Sequence, residues 1–431
     1  MNRFIYYFLR SIFHLTAQIF YRRVIILNED KIPKNKPLLI AINHSNAFWD
    51  GVLVGMYVNR PVWFLARGDV FKKPSVAKIL NMMGIAPVYR MQEGYANIGK
   101  NKETFTKCHQ ILSKNQAIAL FPEGNCERES KLRPLKKGAA RIAHGALETF
   151  GNHSDLYVTC AALNYDEPDN LNSEILINFS HPIKVNDYLD ASKALDAREA
   201  MQFTAAMEKG IDSVMFNIHD RHQHAFFHFV KRNFADLVTG KSKNEHSLFE
   251  KMKLFSEKIN AAHPSTDACK HAVNAYRNEL SKAGVREKYV QQFLIQGRFI
   301  STYLICLLLF IPSIPGLLFN SWPYYLSNRL AKKTVKKQEF FTSINLGAAG
   351  LLYFIWYLII AIVFTFMLSL LKAFMLVMAI HFSGVICLHL ATYFRAIKAH
   401  VKLSKLNHKH REHLLKTREN CVAAIKNYIA A

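Results

Sequence analysis

The sequence predicts an α/β domain, then a helical extension, then a C-terminal α-helical membrane region. Three observations carry this reading. Short apolar runs alternate with helical stretches over residues 24–190, which is α/β organisation. Residues 191–295 are rich in Ala, Lys, Glu and His and almost lack β-branched runs. Three strongly apolar segments follow, at 299–319, 346–371 and 373–394. The length of 431 residues exceeds what one core needs. Half the residues are apolar while 20% are charged, as expected when soluble and lipid-facing parts share a chain.

Taken in order, residues 1–23 carry Phe4, Ile5, Phe8, Leu9, Ile12 and Phe13, interrupted by Arg3, Arg10 and His14 and closed by Arg22 and Arg23. The interruptions and the lack of a small-residue cleavage site argue against a signal peptide, and the aromatic and basic mix predicts an interfacial amphipathic helix. Within 24–190, strands are expected at 37–43, 62–66, 117–121, 156–163 and 174–179, each bounded by turn residues or charge. Helices are expected at 75–83 and 135–149. Residues 191–295 read as a helical extension whose sequence shows no function.

The membrane region is placed at 296–394. A span needs about 20 apolar residues, and the second and third segments meet that with only Lys372 between them, which predicts a two-helix hairpin. The first contains Pro312, Pro315 and Gly316 and is expected to break. Basic residues lie on both sides of the hairpin: Arg329, Lys332, Lys333, Lys336 and Lys337 before it, and Arg395, Lys398, Lys402, Lys405, Lys409 and Arg411 after it. Keeping both groups on one side predicts a re-entrant first segment, the N-terminal domain on the cytosolic face and a basic cytosolic tail over 395–431.

The net charge of +24, from 56 Lys and Arg against 32 Asp and Glu, attracts anionic lipid, nucleic acid, phosphorylated metabolites or acidic protein. No nucleic-acid motif accompanies it, so no nucleic-acid partner is expected and membrane phospholipids are. The seven cysteines are scattered without ligand spacing and read as reduced thiols, consistent with a cytosolic domain. The histidines at 219, 222, 224 and 228 and at 408, 410 and 413 lack a Cys or carboxylate framework, and no metal is expected.

Chemistry concentrates in blocks at strand ends. His44 follows the first expected strand and Asp50 lies six residues on, out of phase on a straight helix, so the backbone must turn between them. Such a pair suits a general base and its orienting partner. A second block, Gly84 to Arg90, ends in an Arg able to grip a phosphate bidentately. In a third, Phe121-Pro122-Glu123-Gly124, a carboxylate adjoins a flexible backbone, and Arg133, Lys136, Lys137 and Arg141 follow at a helix start suited to anions.

These blocks, with Val158 to Tyr165 as a fourth, resemble in order the motifs of the glycerolipid acyltransferase superfamily, which includes lysophosphatidate and glycerol-3-phosphate acyltransferases. The resemblance covers roughly residues 20–190. It implies an α/β acyltransferase domain with a mixed sheet flanked by helices, and His44 and Asp50 as the catalytic pair. It further implies that Arg90, Glu123 and Gly124 bind substrate, while Arg133, Lys136, Lys137 and Arg141 remain as phosphate candidates because the family's usual Arg after Glu-Gly-Thr is absent. Two departures bear on the acceptor: five residues separate His44 from Asp50 where four are usual, as in a subgroup resembling glycerol-phosphate and dihydroxyacetone-phosphate acyltransferases, and Asn125-Cys126-Glu127 stands where Thr-Arg-Ser is common.

The implied reaction is direct transfer of a fatty acyl group from acyl-CoA or acyl-carrier protein to lysophosphatidate, with no cofactor and no covalent enzyme intermediate. The absence of a G-x-S-x-G elbow agrees. Glycerol 3-phosphate or another lysolipid is the alternative acceptor. A catalytically silent membrane scaffold is the alternative of another class, although it would need neither His44, Asp50 nor Glu123.

Overall fold

The computed structural model describes residues 1–89, 98–150, 155–240, 242–261, 264–297 and 299–430. The chain divides into two compact units, Met1–Arg221 with Lys336–Ser343, and His222–Val335 with Ile344–Ala431. The first unit therefore extends beyond residue 190 and takes back a short strap from between two apolar helices.

In the first unit, eight strands form one mixed sheet: β1 (Tyr21–Leu27), β2 (Leu38–Ile42), β3 (Val62–Arg67), β4 (Ile85–Val88), β5 (Ala117–Leu120), β6 (Tyr157–Tyr165), β7 (Ser173–Phe179) and β8 (Ile183–Lys184). Their order is β1-β7-β6-β2-β5-β3-β4, with β8 on β6. The five expected strands form as β2, β3, β5, β6 and β7. The run Leu38–Ile42 is buried at every position, as a central parallel strand covered on both faces should be. One face, including Leu39, Ala41, Ile118, Val158 and Cys160, packs under α4 (Ile98–Leu112), α5 (Gly138–Phe150) and α6 (Ala197–Val214). Because α6 lies on β6, the start of the expected extension belongs to the sheet domain.

The N-terminal helix α1 (Arg3–Phe20) ends before Arg22 and Arg23, which sit in β1, where Arg22 pairs with Glu174 at 2.7 Å. It buries Tyr6, Ala17 and Phe20 while Phe4 remains 80% exposed and Phe8 50%. The feature that positions the site is the direction of β2, β5 and β6. β2 is parallel to both neighbours, so the carboxyl ends of all three emerge along one edge, where α/β sheets collect ligands.

The second unit is helical: α7 (Arg221–Thr239) continues from the first unit, followed by α8 (Glu245–Asn260), α9 (Pro264–Ala283), α10 (Glu287–Val290), α11 (Phe299–Thr334), α12 (Phe341–Met367), α13 (Leu370–Lys405) and α14 (His408–Ala430). Three of these, α11, α12 (with the turn before it) and α13, are long and apolar enough to cross a membrane. The expected tail over 395–431 is instead the end of α13 plus α14, which buries Leu414, Cys421, Ile425 and Tyr428 on one face. There Arg418 donates to the buried Glu287 at 2.7 Å, and the Tyr276 hydroxyl donates to the same carboxylate.

The expected break at Pro312 and Pro315 does not occur: α11 runs unbroken through both and through Pro323. The Ser383 hydroxyl of α13 bridges one step of its ladder beside the first two prolines. It accepts the Gly316 N–H at 2.6 Å and donates to the Pro312 carbonyl at 2.6 Å, so it stands inside the ladder step that would join these two groups. A Cβ at Gly316 would collide with the Ser383 carbonyl, so only glycine admits this approach.

Candidate active site

The chain leaves β2 through Asn43, His44, Ser45 and Asn46 and enters α2 (Ala47–Tyr57) with Asp50 in its first turn. Asn43 fastens the exit to β6, accepting the Leu163 N–H at 2.8 Å and donating to the Leu163 carbonyl at 3.3 Å. Ala47 takes φ of 42°, a left-handed conformation that L side chains rarely adopt. That bend lets a carboxylate six residues after the histidine return to it.

Asp50 is fully buried and each oxygen is occupied. Oδ2 accepts His44 Nδ1–H at 2.9 Å and the backbone N–H groups of Ser45 at 2.9 Å and Asn46 at 2.7 Å. Oδ1 accepts the Tyr165 hydroxyl at 2.5 Å. Burial pushes the Tyr165 phenol well above its usual range, with the neighbouring Asp50 charge adding to it, so it stays a donor. With Nδ1 carrying its proton toward Asp50, Nε2 presents a lone pair and has no hydrogen bond to a described residue. The imidazole lies flat on Phe121, centroids 3.9 Å apart.

Phe121 leads the turn after β5. Glu123, in the same turn, is buried and reaches across to accept the His44 N–H at 3.0 Å. Arg133 pairs with the other Glu123 oxygen and donates to the carbonyls of His44 at 3.0 Å and Asn125 at 2.7 Å. Burial pushes the Glu123 carboxyl up to about 7, outweighing Arg133 and the His44 amide. Gly124 has φ of 79° and lies under the Lys136 side chain, whose Cγ is 3.2 Å from where a Cβ would be.

Lys136 and Lys137 are exposed immediately before α5, and Arg141 is exposed in its first turn. None of the three is in an ion pair with a described residue. They form a cationic group at a helix N-terminus, where an anion is favoured. Arg90 lies outside the described residues.

The structure therefore brings His44, Asp50, Glu123, Gly124 and Lys136 to the carboxyl edge of β2 and β5. Arg133, a candidate phosphate cation by sequence, is spent on Glu123 and two carbonyls. Sequence reasoning did not single out Tyr165, although it closes the fourth block, nor Ser343 and Trp49. Ser343 accepts the Trp49 N–H at 3.0 Å from 294 residues away, and no local pattern announces such a partner.

One group of described residues has donors close enough for a metal: His44, Asp50 and Cys126, with ligand atoms within 4.8 Å of one another. Those atoms are already engaged. Nδ1 and both Asp50 oxygens are bonded as above, and Cys126 Sγ accepts the Ala47 N–H at 3.0 Å. Burial also pushes the Cys126 thiol up to about 12, against the thiolate a metal needs.

The family model described as Acyltransferase matches residues 23–162. An uncharacterized acyltransferase of Schizosaccharomyces pombe is 34% identical over 101 residues, which is 23% of this chain and 14% of that protein. The chloroplastic 1-acyl-sn-glycerol-3-phosphate acyltransferase BAT2 of Brassica napus is 23% identical over 114 residues, 26% of this chain and 31% of that one. Glycerol-3-phosphate O-acyltransferase 1 of Saccharomyces cerevisiae is 28% identical over 119 residues, 27% of this chain and 16% of its own length. The chain thus matches under a third of each of these relatives. Among solved structures, the 1-acyl-sn-glycerophosphate acyltransferase of Thermotoga maritima aligns at 13% identity and a TM-score of 0.35, covering 49% of this chain and 80% of that one.

Proposed function

We propose that the acyltransferase-family segment of residues 23–162 transfers a fatty acyl group from a thioester, acyl-CoA or acyl-carrier protein, to the free hydroxyl of lysophosphatidate, forming phosphatidate. The observation that carries this reading is the His44 imidazole, its tautomer fixed by Asp50 at 2.9 Å and its Nε2 without a hydrogen bond to any described residue. His44 Nε2 takes the hydroxyl proton as the oxygen attacks the thioester carbonyl. The C–S bond breaks and the imidazolium returns the proton to the departing thiolate. Asp50, held by four donors, orients the ring and stabilises the imidazolium that forms.

Lys136, Lys137, Arg141 and the α5 N-terminus supply cations for the acceptor phosphate, with Arg90 as a further candidate. Glu123 and Arg133 hold the backbone of His44 in place, and Gly124 lets Lys136 cross the turn. Glycerol 3-phosphate is the second acceptor reading, supported by the five residues between His44 and Asp50. For placement, α11, α12 and α13 support an integral membrane protein. The basic residues Lys336 and Lys337 open the strap that belongs to the first unit, which supports a cytosolic catalytic domain.

The test is acyl transfer by the full chain in detergent, offering labelled acyl-CoA or acyl-carrier protein to lysophosphatidate, glycerol 3-phosphate and other lysolipids. Transfer to lysophosphatidate that His44→Ala abolishes is the expected result. Transfer to glycerol 3-phosphate alone would move the reading to the second acceptor. No transfer to any acceptor would sink both.

A further inference from the structure

The first turn of α2 lacks the cap that its position calls for. Helix N-termini leave backbone N–H groups without partners, and the residue at the N-cap ordinarily accepts one with its side chain. Asn46 occupies that position with φ of −136° and ψ of 45°, and its side chain makes no capping bond. Its own N–H is already committed to Asp50. The Trp49 N–H, at the third helical position, is instead shared between the Asn46 carbonyl at 3.1 Å and Ser343 Oγ at 3.0 Å, and the same hydroxyl donates to the Asn46 carbonyl at 3.0 Å, closing the turn from outside the helix.

Ser343 reaches that place on a strap, Lys336–Ser343, that belongs to the first unit although the residues on both sides belong to the second. Three bonds seat it further. The Thr342 hydroxyl donates to the Asp169 carboxylate and to the Pro168 carbonyl at 3.0 Å, and Gln338 Nε2 donates to Asp169 at 3.4 Å. Asp169 in turn pairs with Arg128, whose other amine lies 3.5 Å from Asn46 Oδ1. Thr342 and Ser343 are 1% and 5% exposed. The turn between His44 and Asp50 is thus tied, at Asn46 and Trp49, to a segment that connects α11 with α12.

We propose that Ser343 is a positioning residue for the His44 and Asp50 pair. It caps α2 from the end of the strap, in the first turn of α12, so the catalytic turn is complete only when that strap is seated. Asp50 lies one residue beyond the capped N–H, and a loosened first turn moves its carboxylate relative to His44 Nδ1. The catalytic part of this inference rests on the acyl-transfer reading.

The test uses the full chain in detergent and compares wild type, Ser343→Ala, Ser343→Thr and, as control, Thr365→Ala, whose hydroxyl bonds only within α12. Amide hydrogen exchange over residues 44–53 reads the tie without any substrate. Ser343→Ala is expected to speed exchange there and to lower kcat by about tenfold or more, with KM little changed, as small misplacements of catalytic groups do. Ser343→Thr, which keeps the hydroxyl, is expected to restore most of both. Thr365→Ala should match wild type, and the melting temperature serves to exclude general unfolding. Unchanged exchange in Ser343→Ala would overturn the tie. Faster exchange with unchanged kcat would overturn the positioning role. A wild type inactive toward every acceptor would overturn the acyl-transfer reading, and the catalytic role with it, whereas the exchange result stands independently of that outcome.

Discussion

Two neighbouring strand-to-helix connections, at the ends of β2 and β5, treat their polar groups in opposite ways. Between His44 and Asp50, polar groups are turned inward and matched, with four donors on one carboxylate and an outside hydroxyl on the helix cap. Between Glu123 and Arg141 the first half repeats this, Glu123 and Arg133 closing on the backbone of His44, but the second half leaves Lys136, Lys137 and Arg141 exposed. A group that must move one proton at a fixed place needs rigid surroundings. Groups that must meet an incoming anion need to be free to do so.

On that division, substitutions in the first connection are expected to reduce turnover and those at the exposed end of the second to weaken binding. The largest effect is expected for Asp50→Asn, which keeps the size of the side chain but disfavours the tautomer that leaves Nε2 free: kcat falls about 10³-fold with KM nearly unchanged, read by steady-state acyl transfer. An equal rise in KM would erase the distinction. Next is Arg133→Ala, which strands Glu123 in the interior. It should cost on the order of 3 kcal/mol of stability at pH 8, measured by denaturant unfolding. The loss should be smaller at pH 6, since a carboxyl already pushed up to about 7 can take a proton instead.

The double variant Lys136→Ala with Lys137→Ala should raise KM for the phosphorylated acceptor by about tenfold, roughly 1.4 kcal/mol, and leave kcat within about twofold. A fall in kcat alone would place these lysines with the rigid half. The smallest effect concerns pH. The Glu123 carboxyl is raised in the fold from 4.5 to about 7, so its contribution to stability is fully present below about 4.5 and is lost as pH rises through about 7. Wild type should therefore lose melting temperature relative to Glu123→Gln across that window, and parallel curves would show that the burial is compensated.

The sequence made the inward half legible where it used local rules. Leu38–Ile42 is apolar at each step and returned as the central strand, and the His44 to Asp50 spacing required a turn that Ala47 supplies with its positive φ. What escaped depends on distant partners. Tyr21–Leu27 carries two arginines directly after its first residue, beside a helical run, and pairs with β7 only in the folded chain. Arg133 looked like its lysine neighbours until Glu123 was seen to face it. Neither the cap from Ser343 nor the hydroxyl that bridges α11 beside its first two prolines has a signature in its own neighbourhood, because each repairs a backbone fault located elsewhere.

That last repair has a mechanical meaning. Because the Ser383 hydroxyl occupies a rung of another helix, and Asn320 of α11 donates to the Ile380 carbonyl of α13 at 3.2 Å, the two helices are pinned together rather than merely laid side by side. Sliding either by a turn would leave a donor and an acceptor bare together, and in a lipid setting no water replaces them. The pair is therefore expected to tilt and bend as a single beam, with its register held where polar groups cross from one helix to the other.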